Sequence, residues 1–437
     1  MFQEEELLDE MNRQNPWWNT GKIELEEDLI ERELYPKLKN ELESDVISAL
    51  IGLRRTGKTT VMTQLIDHLL DKTSPKNIFY FSFDAMQKEE RIVKKVIQLY
   101  YQNILKQVPE EFENRVFIFL DELQKIELWS EEIKSIFDRK YPMKFIISGS
   151  SSMNVTKGVG ESLVGRIRTH RIHPFSFNEF LRYNDVGSPD IDLNDVKENK
   201  IGYPPNAEKI KIMLKDYMKY GGFPEIYQKK EKKEYLNDIV SLTFYRDIIN
   251  MLPVKRSEVL EGLFHHFISE SAQLVNYNRL SDALDTKYKT IKKYIGYLET
   301  SFLIERSKLY SKSDLKGVRK NPKVYVTDHG FSQLQSMDEG LKVETAVYNC
   351  LSRAHDVSYW KDDHEIDMVV KHEGITPIEI KYKEEIRKSD LKGILEFMEN
   401  HEVKRAIVVS KEKRGSETYG ENEIVFIPAW LFLLIQP

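Results

Sequence analysis

Cysteine is almost missing from this chain: Cys350 is the single one in 437 residues, which excludes an intrachain disulfide framework and suits a reducing, cytoplasmic setting. Set among Val347, Tyr348 and Leu351, it reads as core packing. Also missing is any apolar run near the ~20 residues that a membrane span needs. Residues 429–435 are apolar but too short, and read as a docking helix or strand, so no membrane partner is expected. The start, Met1-Phe2-Gln3-Glu4-Glu5-Glu6, lacks the basic and apolar regions of a signal peptide. A strong excess of one charge is absent too: a net −6 with 31% charged residues argues against wholesale coating of nucleic acid. The charge is nevertheless segregated. Residues 1–43 hold thirteen acids and five bases (−8), whereas residues 276–323 hold twelve bases and five acids (+7), a basic module inside an acidic protein. The length predicts two to four domains at about 150 residues each.

What is present begins with Gly52-Leu53-Arg54-Arg55-Thr56-Gly57-Lys58-Thr59, which fits the phosphate-binding pattern G-x-x-x-x-G-K-[ST] at every fixed position. An apolar run from Val46 to Ile51 precedes it, and Val61, Leu65, Leu69 and Leu70 follow at helical spacing, the strand, loop and helix that the motif requires. The glycines let backbone N–H groups curl around the phosphates, with Arg54, Arg55, Thr56 and Thr60 lining the loop. Lys58 reaches the β- and γ-phosphates, and the Thr59 hydroxyl is placed for Mg²⁺. ATP and Mg²⁺ are the expected cofactors.

Val116-Phe117-Ile118-Phe119-Leu120-Asp121-Glu122 is a second landmark, an apolar run ending in two acids, as a buried parallel strand would deliver them to its carboxyl edge. Asp121 is expected to hold Mg²⁺ through water and Glu122 to deprotonate the attacking water, so hydrolysis is expected beyond binding. A third run, Lys144 to Ser151, ends in hydroxyl residues, from which Ser148 or Ser150 is the sensor of the γ-phosphate. Arg166, in Leu163-Val164-Gly165-Arg166, is the candidate arginine finger, in cis or from a neighbouring subunit, which would make the chain a homo-oligomer.

Organisation follows from these landmarks. Residues 1–45 form an acidic segment with Leu25, Leu29, Ile30 and Leu34 at helical spacing, and Asn15-Pro16-Trp17-Trp18 as an anchor. Residues 46–224 alternate strand and helix, predicting a mainly parallel sheet covered by helices. Within them, residues 185–206 read as a loop or flexible insertion. Residues 225–335 hold helices and then two short strands. Residues 279–284 and 288–298 fit two helices joined by a tight turn, with Ile291, Ile295 and Leu298 inward and Lys287, Lys289, Lys292 and Lys293 outward. This predicts a winged helix-turn-helix whose lysines meet DNA phosphates, with Lys312, Lys316, Arg319 and Lys320 in the wing. Residues 336–437 change order to helix, three strands, helix and strand. There Asp367 precedes Glu379-Ile380-Lys381 on the next strand, and period-two alternation puts Glu379 and Lys381 on one face. This arrangement suits a PD-(D/E)xK nuclease, with Asp367 and Glu379 holding Mg²⁺, Lys381 stabilising the activated water, and Glu344 as a further acid near the metal.

With both sites in view, the chain resembles the prokaryotic AAA+-like P-loop ATPases that carry a C-terminal DUF4143 domain. The resemblance runs through Gly52 to Thr59, Leu120-Asp121-Glu122-Leu123-Gln124, Ser148-Gly149-Ser150-Ser151, Leu163-Val164-Gly165-Arg166, Pro174-Phe175-Ser176-Phe177-Asn178-Glu179-Phe180, Gly221-Gly222-Phe223-Pro224 and Pro428-Ala429-Trp430-Leu431-Phe432. It implies an α/β multidomain protein with an ATPase core, a winged helix and a restriction-endonuclease-like C-terminal domain. One departure is that no Pro-Asp pair precedes the second strand of that domain; Asp367 follows Glu365-Ile366 instead.

The leading expectation is a Mg²⁺-dependent ATPase that binds DNA through the winged helix and couples nucleotide state to a nuclease-like domain. The alternatives are a nucleotide-dependent switch whose C-terminal domain is a silent binding platform, and an oligomeric DNA-remodelling motor.

Overall fold

A computed structural model describes residues 4–25, 29–86, 91–150, 163–311 and 320–436. Ser151, Glu161, Ser162 and the wing residues Lys312, Lys316 and Arg319 lie outside the described residues. Two compact units divide after Ile172.

The first unit is built on five parallel strands: β1 (Ile47–Ile51), β2 (Ile78–Ser82), β3 (Val116–Asp121), β4 (Met143–Gly149) and β5 (Ile167–Arg171), in the order β2-β3-β4-β1-β5. Strands β1, β3 and β4 are buried at every position, as the continuous apolar runs require of a sheet covered on both faces. Parallel pairing brings all their carboxyl ends to one edge. The helix Lys58–Leu70 follows β1 and packs Val61, Leu65 and Leu69 inward.

Edge strand β2 is covered by the amino-terminal segment. The helix Glu4–Gln14 buries Leu7 and Met11. Asn15 then exchanges two hydrogen bonds with the Tyr80 backbone (2.8 and 2.7 Å), and the Trp17 and Trp18 indoles both donate to the Ile78 carbonyl (3.1 and 2.9 Å). Side chains thus take the place of a neighbouring strand. The helix expected through Leu25, Leu29, Ile30 and Leu34 is not formed among the described residues of that stretch, and the next helix begins at Tyr35. Tertiary bonds replace helical ones: Gln64 donates to the Ile30 carbonyl at 2.9 Å, and buried Arg32 donates to the Thr56 carbonyl at 2.6 Å.

The second unit holds two sheets. Strands β6 (Gln273–Leu274), β7 (Ile304–Ser307) and β8 (Lys323–Val326) form an antiparallel sheet in the order β6-β8-β7. With the helices Ser257–Ser269, Tyr277–Ala283 and Tyr288–Thr300, the chain runs helix, strand, helix, helix, strand, strand, the order of a winged helix. Ile291, Ile295 and Leu298 are fully buried beneath the last helix.

The other sheet is mixed: β9 (Val357–Lys361), β10 (Glu365–Lys371), β11 (Ile375–Lys381), β12 (Arg405–Ser410), β13 (Gly415–Tyr419) and β14 (Asn422–Pro428), ordered β13-β14-β12-β11-β10-β9. The helix Glu339–Leu351 opens this part, and Lys392–Asn400 packs Ile394, Phe397 and Met398 into its core.

Residues 185–206, read from sequence as a loop, contain the short helix Leu193–Lys197, closed by a capping box between Asp192 and Asp195. Ile191, Leu193 and Val196 are buried, and the Ile191 carbonyl accepts from Gln436, so apolar anchoring outweighs the polar composition. At Gly222, an added Cβ would stand 2.3 Å from the Phe175 carbonyl oxygen, while its N–H donates to buried Asp328 at 2.8 Å. The Gly-Gly-Phe-Pro run is therefore a close backbone crossing.

Candidate functional site

The loop after β1 is shaped by its backbone. Gly52 has φ +150°, and a Cβ there would lie 2.3 Å from the Ile172 carbonyl oxygen; Arg55 and Gly57 also take positive φ, 60° and 92°. The loop then enters the helix Lys58–Leu70, whose first N–H groups face the same concavity. Lys58 is buried and its ammonium donates to the Gly52 and Leu53 carbonyls, both at 3.0 Å. Thr56 bonds back to the Leu53 carbonyl at 2.9 Å, which closes the turn. Thr60 flanks Gly57, its Cβ 3.9 Å from the position a Cβ on that glycine would take.

Strands β3 and β4 bring three further groups to this edge. Thr59 Oγ1 donates to Asp121 Oδ2 at 2.7 Å, and Ser148 Oγ donates to Asp121 Oδ1. The Glu122 N–H is shared between Asp121 Oδ1 and Ser148 Oγ, both at 3.1 Å. Glu122 turns at φ 60°, accepts from Gln124, and has Arg54 at 3.9 Å. Burial pushes its carboxyl up, against the pull of Lys58. A threonine hydroxyl and an aspartate oxygen side by side are hard-oxygen donors of the kind Mg²⁺ takes, and the loop leads into a helix N-terminus, which favours phosphate. The residues present therefore fit a Mg²⁺–nucleotide.

Three participants escaped the sequence reading. Tyr80 donates to Asp121 Oδ2 at 2.9 Å, Gln124 bonds Ser150 on both its amide atoms (2.8 and 3.2 Å), and Arg32 ties the amino-terminal segment to the loop. Tyr80 carried a weak signal, since it faces opposite Phe79 and Phe81 in a period-two strand. Ser148, not Ser150, touches Asp121.

Arg166 stands elsewhere. Its carbonyl accepts from the Ile47 N–H at the amino end of β1, the sheet edge opposite the loop, and its guanidinium pairs with Asp138 at 2.7 and 3.3 Å. The arginine that β5 carries to the loop edge is Arg171, level with Ile51.

In the winged-helix part, Lys287, Lys289, Lys292 and Lys293 are all exposed, at the start and on the outer face of the helix Tyr288–Thr300. Exposed Tyr288 stands between the first two.

The C-terminal acids also converge. Antiparallel pairing of β10 with β11 sets Asp367 beside Glu379: the Asp367 N–H donates to Glu379 Oε2 at 3.4 Å and the Ile380 N–H to Asp367 Oδ2 at 2.8 Å. The β9–β10 register shifts between Ile366 and Val369, a bulge at the acid itself. Lys381 pairs with Glu379. A further group is present that the sequence did not reveal. Lys323 of β8, 1% exposed, places its ammonium 3.0 Å from Glu344, 2.8 Å from Glu365 and 3.3 Å from Asp367. Tyr325 donates to the same Glu344 oxygen at 3.0 Å. Burial, reinforced by the Asp367 charge, holds Glu344 and Glu379 above the usual carboxylate range. Among the described residues, no group of three or more His, Cys, Asp and Glu is arranged to hold a metal ion. Also among them, no helix is long and apolar enough to cross a membrane.

Comparison with family models agrees with this layout. Residues 44–181 match an AAA domain, residues 212–339 a domain of unknown function (DUF8612), and residues 339–432 a domain of unknown function, DUF4143. An uncharacterized protein of Haemophilus influenzae is 26% identical over 422 residues, 92% of this chain and 98% of its own length. One from Methanocaldococcus jannaschii is 27% identical over 354 residues, 77% of this chain and 75% of its own. Among solved structures, the Thermotoga maritima RuvB Holliday junction branch migration motor overlaps 64% of this chain and 90% of its own, at 16% identity and TM-score 0.26. The chain is thus a P-loop protein whose amino-terminal half carries an AAA domain and whose carboxyl end is a DUF4143 domain.

Proposed function

We propose that this protein binds ATP with Mg²⁺ at the loop after β1, hydrolyses it, and uses the nucleotide state to control a DNA-binding C-terminal half. The observation that carries the first part is the Thr59–Asp121 hydrogen bond of 2.7 Å beside Lys58 and Glu122. In this reading Thr59 and Asp121 hold the metal, which neutralises the phosphate charge. Lys58 moves from the loop carbonyls to the β- and γ-phosphates, and Ser148 reports the γ-phosphate through Asp121. Glu122, next in the chain, accepts the proton of the attacking water.

Lys58→Ala is expected to abolish ATP turnover, and Glu122→Gln to keep ATP binding while losing hydrolysis. Unchanged turnover in Lys58→Ala would refute the assignment. The DNA part rests on the exposed lysines of the helix Tyr288–Thr300 within a +7 segment. Electrophoretic mobility shifts with duplex DNA, with and without ATP, test whether the two parts are coupled. Arg166 enters as a finger only from a neighbouring subunit, so sizing with ATP and Glu122→Gln tests for an oligomer.

A further inference from the structure

We propose that the cation position of the C-terminal acid cluster belongs to Lys323, and that its ammonium excludes a divalent metal there. The inference concerns the acid cluster alone and is independent of both ATP binding and DNA binding.

The lysine does not come from the sheet that carries the acids. It arrives on β8, the central strand of the winged sheet, and is buried beside β10 and the helix Glu339–Leu351. An ammonium has three protons and no acceptor, and here three carboxylates surround it, at 3.0, 2.8 and 3.3 Å. Lys381 is likewise occupied by Glu379. A Mg²⁺ ion would need near-octahedral oxygens at about 2.0–2.1 Å. Those best placed to supply them, on Glu344 and Asp367, already converge on Lys323 Nζ. A divalent ion sharing them would meet the ammonium at close range inside a buried site, where like charges repel strongly. The strand geometry of a nuclease is thus retained while its cation is a side chain. The chemical role that follows is cohesion: Lys323 joins the winged sheet to the sheet bearing Asp367 and Glu379.

The test is Mn²⁺ titration of the full nucleotide-free chain, followed by electron paramagnetic resonance, in wild type, Asp367→Asn, Lys323→Met and the double variant. The expected result is no Mn²⁺ binding that depends on Asp367 in the wild type, and about one added ion per chain in Lys323→Met that the double variant loses. An Asp367-dependent site in the wild type overturns the proposal. So does a Lys323→Met protein that keeps wild-type circular dichroism but gains no ion. Should Lys323→Met not fold, the comparison of wild type with Asp367→Asn decides alone. DNA binding that survives unchanged in the lysine variants of the helix Tyr288–Thr300 would sink the DNA-binding reading without touching this result.

Discussion

Asp121 gathers four donors that come from four places in the sequence: Thr59 of the loop helix, Tyr80 of β2, Ser148 of β4 and the Glu122 backbone. A carboxylate so encased is held in one rotamer, and its replacement leaves buried donors unpaired. Tyr80→Phe removes one donor without disturbing the others. We expect it to leave the fold intact, to weaken Mg²⁺ dependence by several-fold and to change ATP affinity little, measured as the Mg²⁺ concentration for half-maximal turnover. An unchanged Mg²⁺ requirement would mean that Tyr80 only packs. Gly222→Ala belongs at the same scale. Its Cβ would press on the Phe175 backbone, 2.3 Å from the oxygen. Because a backbone cannot move aside as a side chain can, we expect a loss of about 1–3 kcal/mol in thermal unfolding. Wild-type melting would contradict the crossing.

Among the elements, the amino-terminal segment determines whether β2 has a free edge. Asn15 supplies both hydrogen bonds to Tyr80, so Asn15→Ala leaves that pair unsatisfied at a sheet edge. The expected cost is about 1–3 kcal/mol, together with faster aggregation on heating, read by light scattering; a variant as stable and soluble as wild type would show that water caps the edge as well. This element was half legible. The two tryptophans of a polar stretch announced an anchor, but the strand they cap lies some sixty residues on, at Ile78. The apolar spacing at Leu25, Leu29, Ile30 and Leu34 misled for a related reason: all four are only half-buried, and the stretch is tied down by bonds from Gln64 to the Ile30 carbonyl and from Arg32 to the Thr56 carbonyl rather than by helical turns. The capping box between Asp192 and Asp195 closes a short helix in a stretch whose polar composition read as a loop.

For the whole molecule, charge sets the responses that can be measured. Lys144 is buried on the interior strand β4, bonded to the Val46 carbonyl at 2.6 Å and to Ser48 at 3.0 Å, and burial pulls its pKa down to about 8. A base depressed in the folded state binds fewer protons than in the unfolded chain between pH 8 and its ordinary value near 10.5, so its contribution to stability rises with pH across that window and is lost as pH falls through 8. Lys144→Met should abolish that rise in urea midpoints measured from pH 8 to 10; a variant that keeps it would place the effect elsewhere. The basic segment predicts a second response. If the exposed lysines meet phosphates, replacing Lys292 and Lys293 by Ala lowers the slope of log K against log salt by about 2. An unaltered slope with weaker binding would point to lost packing instead.

The sequence by itself determined the nucleotide loop, the acid pair after β3, the alternation that builds a parallel sheet, the helix that turns its lysines outward, and the adjacency of Asp367 with Glu379. In each, the chemistry depends on spacing of a few residues or on a hairpin, so local geometry follows from local order. Only the tertiary structure decided the rest. Arg166 sits at the far edge of its own sheet because β5 runs parallel to β1, which sends Arg171 to the loop instead. Lys323 stands among Glu344, Glu365 and Asp367, acids 21 to 44 residues further along the chain and on other elements. A lysine in a basic stretch looks like any other in sequence; burial against three carboxylates, which requires two sheets to meet, is what sets it apart.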